Sequence, residues 1–186
     1  MSTAFWGGSA KLLGVERSMI KYVMPLLALC LLGAPVAAQQ APPAEQQNVE
    51  RKPSGDWTVE CVKNQQDQRL CQMVQNIPDP KSGKTLMQVV VAKPADAKSP
   101  LLTVIAPLGV WLRPGLEFSV DGGQANALAF EFCLKEGCLA QLELTSGLAS
   151  ALKRGTSINI GLQNIRRQKL ELKVSLKGFT AGFDML

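Results

Sequence analysis

The chain has 186 residues, with 20 Lys and Arg against 15 Asp and Glu, five cysteines and no histidine. Without histidine, a Ser-His or Cys-His nucleophile pair and an imidazole-held metal are excluded. A formal charge of +5 is mild, and the basic residues are not interleaved with stacking aromatics, so nucleic acid is not an indicated partner.

Lys21 to Ala38 has a basic start, a short apolar run and small residues at its end, the pattern of a signal peptide cut between Ala38 and Gln39. The apolar run stops at Gly33-Ala34-Pro35, short of the roughly 20 residues a membrane span needs. Either Met1 or Met19 can serve as initiator. Cys30 follows Leu29, where a lipoprotein signal wants a small residue, so it is not read as lipidated. Removing residues 1–38 leaves four cysteines, a length suited to one domain and no transmembrane segment. The expected location is the periplasm, the outer envelope or the secreted fraction. Residues 39–53 are rich in Gln, Pro, Ala and Glu with almost no large apolar side chain, and are read as a flexible leader to a domain over 54–186.

From Gly55 onward the pattern has period two, broken by turn residues. Trp57–Val62 alternates, Asn64-Gln65-Gln66-Asp67 supplies a turn, and Leu70–Val74 returns. Pairing Cys61 with Cys71 sets Val59 opposite Met73 and Trp57 opposite Gln75, with Trp57, Val59 and Met73 on the cystine's face, a candidate core side. Strands are expected at Thr85–Ala92, Leu101–Ala106 and Leu116–Asp121. A second hairpin is expected from Leu128–Cys133 and Cys138–Leu144, in a register that puts Phe130 and Phe132 on the face opposite Leu142 and Leu144. Ser146–Arg154 reads as the one helix, with Leu148 and Leu152 a turn apart, Lys153 and Arg154 at its negative end and Gly155 as its stop. Strands at Ile158–Leu162 and Leu170–Lys177 close the chain. Eight to ten strands and one short helix predict an all-β, antiparallel β-sandwich.

Four cysteines admit three pairings, of which short hairpin loops favour Cys61–Cys71 and Cys133–Cys138 as disulfides. Their spacings are poor for a four-thiolate zinc site, no Cys-x-x-Cys occurs, and the sequence calls for no metal or cofactor. Lys81-Ser82-Gly83-Lys84-Thr85 ends like a phosphate-binding loop, but Pro78 stands where its first glycine belongs, so it reads as a turn. Ser150-Ala151-Leu152-Lys153 matches a Ser-x-x-Lys without the larger domain that motif needs. No catalytic residue is singled out. Arg166, Arg167, Lys169, Lys173 and Lys177 form either a solvated strand face or a surface for an anionic partner. The apolar segment Ala106–Leu112, with Trp111, is either core or an exposed contact loop.

Gly55-Asp56-Trp57 leading to Glu60-Cys61, Cys71-Gln72-Met73, Pro107-Leu108-Gly109-Val110, Cys133 with Gly137-Cys138, and Val174–Ala181 run in order through nearly the whole domain. In these landmarks the chain resembles the invasion-associated locus B family of exported bacterial proteins. The resemblance implies an immunoglobulin-like or related β-sandwich in the periplasm or outer envelope of a Gram-negative, typically alphaproteobacterial cell. The family takes its name from a locus needed for host-cell entry, and it has no catalytic motif to transfer. The leading expectation is therefore an interaction protein with an envelope or host-surface partner. The alternative is a small envelope hydrolase using carboxylates.

Overall fold

The computed structural model describes residues 49–186, so the expected cleavage at Ala38 and Gln39 lies outside the described residues, as do Cys30 and both candidate initiators. Strand β1 (Glu50–Ser54) turns at Gly55-Asp56 into β2 (Trp57–Lys63), followed by β3 (Arg69–Pro78), β4 (Thr85–Ala92) and β5 (Leu101–Ala106). These five form an antiparallel meander, extended by β9 (Gly137–Glu143) and β8 (Phe132–Leu134) into a seven-stranded sheet. A four-stranded sheet packs against it in the order β11-β10-β6-β7, from β11 (Lys169–Ser175), β10 (Ser157–Gln163), β6 (Leu116–Val120) and β7 (Asn126–Leu128). The five-strand meander sets the order apart from that of immunoglobulin domains, so this sandwich is of the related kind.

The core lies between the sheets and follows the alternation of the strands. Val59, Met73, Met87, Val89, Val91, Leu102 and Val104 face Leu116, Phe118, Ile158, Ile160, Leu172 and Val174, all buried. Cys61 stands opposite Cys71 and Val59 opposite Met73, as the alternation predicts. Both hairpin disulfides, Cys61–Cys71 and Cys133–Cys138, are formed. The pairing of β2 with β3 ends at Thr58 and Val74, before Trp57 reaches Gln75. Gln75 instead sends its side chain across to the other sheet.

That crossing is the centre of a polar lock between the sheets. Gln75 donates to the carbonyls of Asp56 (3.0 Å) and Ser175 (3.1 Å) and accepts from the Ser175 amide (2.9 Å). Trp57 Nε1 donates to the same Ser175 carbonyl at 2.9 Å, and Ser54 Oγ donates to the Gly178 carbonyl at 2.8 Å. Gly178 has a left-handed φ of 85°, and a Cβ there would lie 2.0 Å from the Ser54 carbonyl oxygen. Only glycine meets both conditions.

Several features depart from the sequence reading. β1 begins at Glu50, inside the segment read as flexible leader: it pairs with β2 along its whole length while four of its five residues stay exposed, so no hydrophobic pattern announces it. Eleven strands form among the described residues, one more than the upper expectation. The expected Leu128–Cys133 strand divides, because Leu128 pairs with Leu116 in the four-stranded sheet whereas Phe132 pairs with Leu139 in the other. The chain changes sheets between them: Phe132 stays on the exposed face, as the Cys133–Cys138 register expects, whereas Phe130 packs against the core. Finally, besides α1 (Ser146–Arg154), capped by the Thr145 side chain on the Leu148 amide, a second helix α2 (Phe179–Phe183) is present. Its five residues are too few to show a period. It inserts Phe179 edge-on against Trp57 (centroids 5.5 Å apart) at the lock.

Candidate interaction surface

At the end of β11 remote from the lock, two turns meet. The segment after β5 holds Val110 in the core, and a bridge joins Val110 to Asn164 in the β10–β11 loop. The Trp111 amide donates to the Gln163 carbonyl at 2.7 Å and the Ile165 amide to the Gly109 carbonyl at 3.0 Å. Arg167 lies over the half-buried Trp111 ring, 4.7 Å from its centroid. Around this pair Ile165 is 74% exposed, Leu108 59% and Leu112 46%. The two segments read separately in the sequence, apolar 107–112 and basic 166–169, thus form one tip. Both readings of 107–112 apply, to different residues: Val110 is core, while its neighbours project.

The β10–β11 loop has a twin. In Asn164–Gln168, Asn164 Oδ1 accepts from the amides of Arg166 (2.9 Å) and Gln168 (3.0 Å), and Asn164 Nδ2 donates to Gln168 Oε1 at 2.8 Å. In Asn64–Gln68, between β2 and β3, Asn64 Oδ1 accepts from Gln66 (3.0 Å) and Gln68 (2.8 Å), and Asn64 Nδ2 donates to Gln68 Oε1 at 2.8 Å. The fourth residue is left-handed in both, Asp67 at φ 57° and Arg167 at φ 61°. Aspartate enters that region readily and arginine does not. The first loop fills its interior with Gln65, Gln66 and Asp67, the second with Ile165, Arg166 and Arg167.

The cationic set divides along β11. Arg166 and Arg167 sit at the tip, with Lys169 at the adjoining strand start. Lys173 lies further along the outer face, opposite Asn159. Lys177, expected within the strand, falls beyond its end, where its carbonyl accepts from the Asp56 amide at 3.0 Å. The length of β11, about 20 Å from Lys169 to Ser175, lies between it and Lys169. Lys177 therefore belongs to the lock end and not to the surface that holds Trp111.

The carboxylates whose acidity departs from the ordinary value are all held below it. The Arg51 guanidinium is the main cause at Glu60, the Lys81 amide at Asp79, and the Thr156 hydroxyl, followed by the Thr156 and Ser157 amides, at Asp121. A general acid requires the opposite direction. Glu117 and Glu171 flank Gly161 on the outer face of the four-stranded sheet, beside a shallow depression of about 30 Å³, the room of a water molecule. The two chance motifs are structural: Asp79 caps the turn containing Lys81 and Ser82, and Lys153 Nζ pairs with Asp184 at 2.6 Å. No buried side-chain nitrogen or oxygen lacks a partner among the described residues.

Residues 57–186 match the family model described as invasion associated locus B (IalB) protein. The chain belongs to that family. Over 132 residues it is 32% identical to an invasion protein B homolog of Brucella abortus (strain 2308), covering 70% of this chain and 75% of that protein. The same values hold for the homolog of Brucella abortus biovar 1 (strain 9-941). The crystal structure of invasion associated protein B from Bartonella henselae superimposes with a TM-score of 0.63 at 18% identity, covering 73% of this chain and 93% of that one, and establishes the shared fold. In this locus B family member the landmarks Gly55-Asp56-Trp57 and Val174–Ala181 supply Asp56, Trp57, Ser175 and Gly178 to the lock, which Ser54 and Gln75 complete from outside them. The landmark Pro107–Val110 supplies Leu108 to the tip.

Proposed function

We propose that this protein is an exported, non-catalytic interaction module of the periplasm or outer envelope, and that its contact surface is the tip formed by Leu108, Trp111, Leu112, Ile165, Arg166 and Arg167. The observation that carries the reading is the pair of twin loops. An all-polar interior suffices to build the turn at Asn64–Gln68, so the exposed isoleucine and two arginines of Asn164–Gln168 are not required by the backbone. Aliphatic side chains at such exposure lose solvent-facing apolar area only when something covers them. Arg and Trp are the residue types that dominate contact energetics. The names of the relatives, invasion proteins and their homologs, agree with a role in contact at the cell envelope or with a host.

A photo-crosslinking residue placed at 165 in intact cells, with position 65 as the matched control, tests the reading. Adducts to protein or lipid are expected at 165 and not at 65. Equal labelling at both positions, or none at either, would remove the tip as the contact surface.

A further inference from the structure

The tip carries its charge and its apolar surface in an unusual combination. From Pro107 to Pro114 and from Asn164 to Lys169 there is no acidic residue, while Arg113, Arg166, Arg167 and Lys169 are all exposed. The aliphatic side chains project singly from two adjoining turns, and Trp111 lies at their base under a guanidinium. The amides of the β10–β11 loop, and that of Trp111 beside it, are satisfied internally. The amides of Trp111, Ile165, Arg167, Arg166 and Gln168 donate to Gln163, Gly109 and Asn164. A loop with its amides already bonded can leave water without stranding donors, the condition for entering a lipid interface. Leu and Ile at the front, Trp at the boundary and flexible cations around them are the chemistry of a surface that sits among headgroups.

We infer that the tip docks on an anionic bilayer surface, with Leu108, Leu112 and Ile165 entering the interface and Arg166, Arg167 and Lys169 facing the headgroup phosphates. This rests on the tip being the contact surface and adds what it contacts. Charge complementarity selects lipid: the two segments present four cations and no acid, Glu117 and Glu171 being set back beside Lys169 on the sheet face, and the amide oxygens of Asn164 and Gln168 are already bonded within the loop. Each cation at an anionic surface contributes roughly fivefold in partition, and each aliphatic side chain entering the interface a further factor of about ten.

The test is flotation of the purified protein with phosphatidylethanolamine vesicles, with and without phosphatidylglycerol, at low and high salt. Binding is expected only with phosphatidylglycerol and is expected to weaken with salt. The triple variant Ile165→Gln, Arg166→Gln, Arg167→Asp should bind at least about tenfold more weakly. At about 0.1 M salt, where the Debye length is about 10 Å, Lys177→Glu at the far end of the strand should change binding less than about twofold. If the triple variant melts early, Ile165→Ser replaces it in the same assay. Absence of phosphatidylglycerol-dependent binding at low salt, or equal losses from the triple variant and Lys177→Glu, would overturn the lipid assignment. A protein adduct at position 165 without vesicle binding would also overturn it while leaving the interaction module standing. Neither adduct nor vesicle binding would remove both.

Discussion

The loop Asn64–Gln68 closes the first disulfide hairpin, and the loop Asn164–Gln168 closes the last hairpin of the four-stranded sheet. They share an asparagine that accepts from two amides, a glutamine bonded back to it and a left-handed fourth residue. They differ in what stands between. Gln65, Gln66 and Asp67 suit an exposed turn, and Asp67 adds a contact to Lys63 at 2.7 Å. Ile165 and Arg167 suit it poorly, the first by exposure and the second by backbone conformation. Within one molecule the first loop shows what the turn needs, so the second shows what has been added. That internal control separates architecture from contact chemistry.

The comparison breaks most visibly if the asparagines are unequal. Asn64→Ala and Asn164→Ala each remove two accepted bonds and one donated bond, and each should cost about 1–2 kcal/mol. That corresponds to a fall of roughly 3–8 °C in Tm, measured by thermal melts. A loss at one position only would mean that the loops are not equivalent.

The left-handed position gives smaller, opposite changes. Asp67→Arg should destabilise by about 1 kcal/mol, because it adds backbone strain and removes an exposed ion pair of little weight. Arg167→Gly relieves the same strain but gives up the Trp111 contact, so a net gain of about 0.5 kcal/mol is expected. Denaturant midpoints distinguish the signs. Exchanging the whole inner triplet, Ile165→Gln with Arg166→Gln and Arg167→Asp, should leave stability within about 0.5 kcal/mol. A large loss there would assign the triplet to folding after all.

The smallest effect concerns Asp121, the remaining non-glycine residue with a left-handed backbone among the described residues. Its carboxylate accepts from the Thr156 hydroxyl at 2.6 Å and the Ser157 amide at 2.8 Å, and its pKa is lowered on folding. A depressed folded-state pKa means that the contribution is complete above the ordinary aspartate value and is lost as pH falls through the lower, folded-state value. Asp121→Asn should therefore be slightly less stable than the parent at neutral pH, with the gap closing in acid. Urea midpoints across the acid range should show it. A gap that widens in acid would contradict the sign.

The strands with an apolar face, the disulfide hairpin at Cys61 and Cys71 and the helix Ser146–Arg154 with its stop at Gly155 were legible because each carries a local signal: alternation, a turn, a glycine stop. What stayed hidden is what depends on distant partners. β1 is held by ladder bonds to β2 and has no apolar pattern. The sheet change after Leu128 is invisible because Phe130 and Phe132 continue an apolar run across it. Lys177 sits in the sequence period of β11, but the strand stops at Ser175, where Gln75 and Trp57 take its backbone groups. Of the tip, each half was readable by composition, but only the bridge between Val110 and Asn164 brings the halves together.

The lock also orders events in time. Its bonds join residues 124, 118 and 100 positions apart in the chain, whereas the two cystines join residues 10 and 5 apart. Short-range hairpins close early and distant contacts wait for the chain between them to be arranged. The Ser54 hydroxyl, the Asp56 amide and Gln75 Oε1 therefore wait for the last strand, whereas the bond from Gln75 to the Asp56 carbonyl joins residues only 19 apart. In pulse-labelled hydrogen exchange the amides of Asp56 and Ser175 should gain protection after those of the β2–β3 hairpin. A chain of this design closes its interior late: the segment Ser175–Phe183 acts as the keystone, and a product that stops before it keeps an open seam.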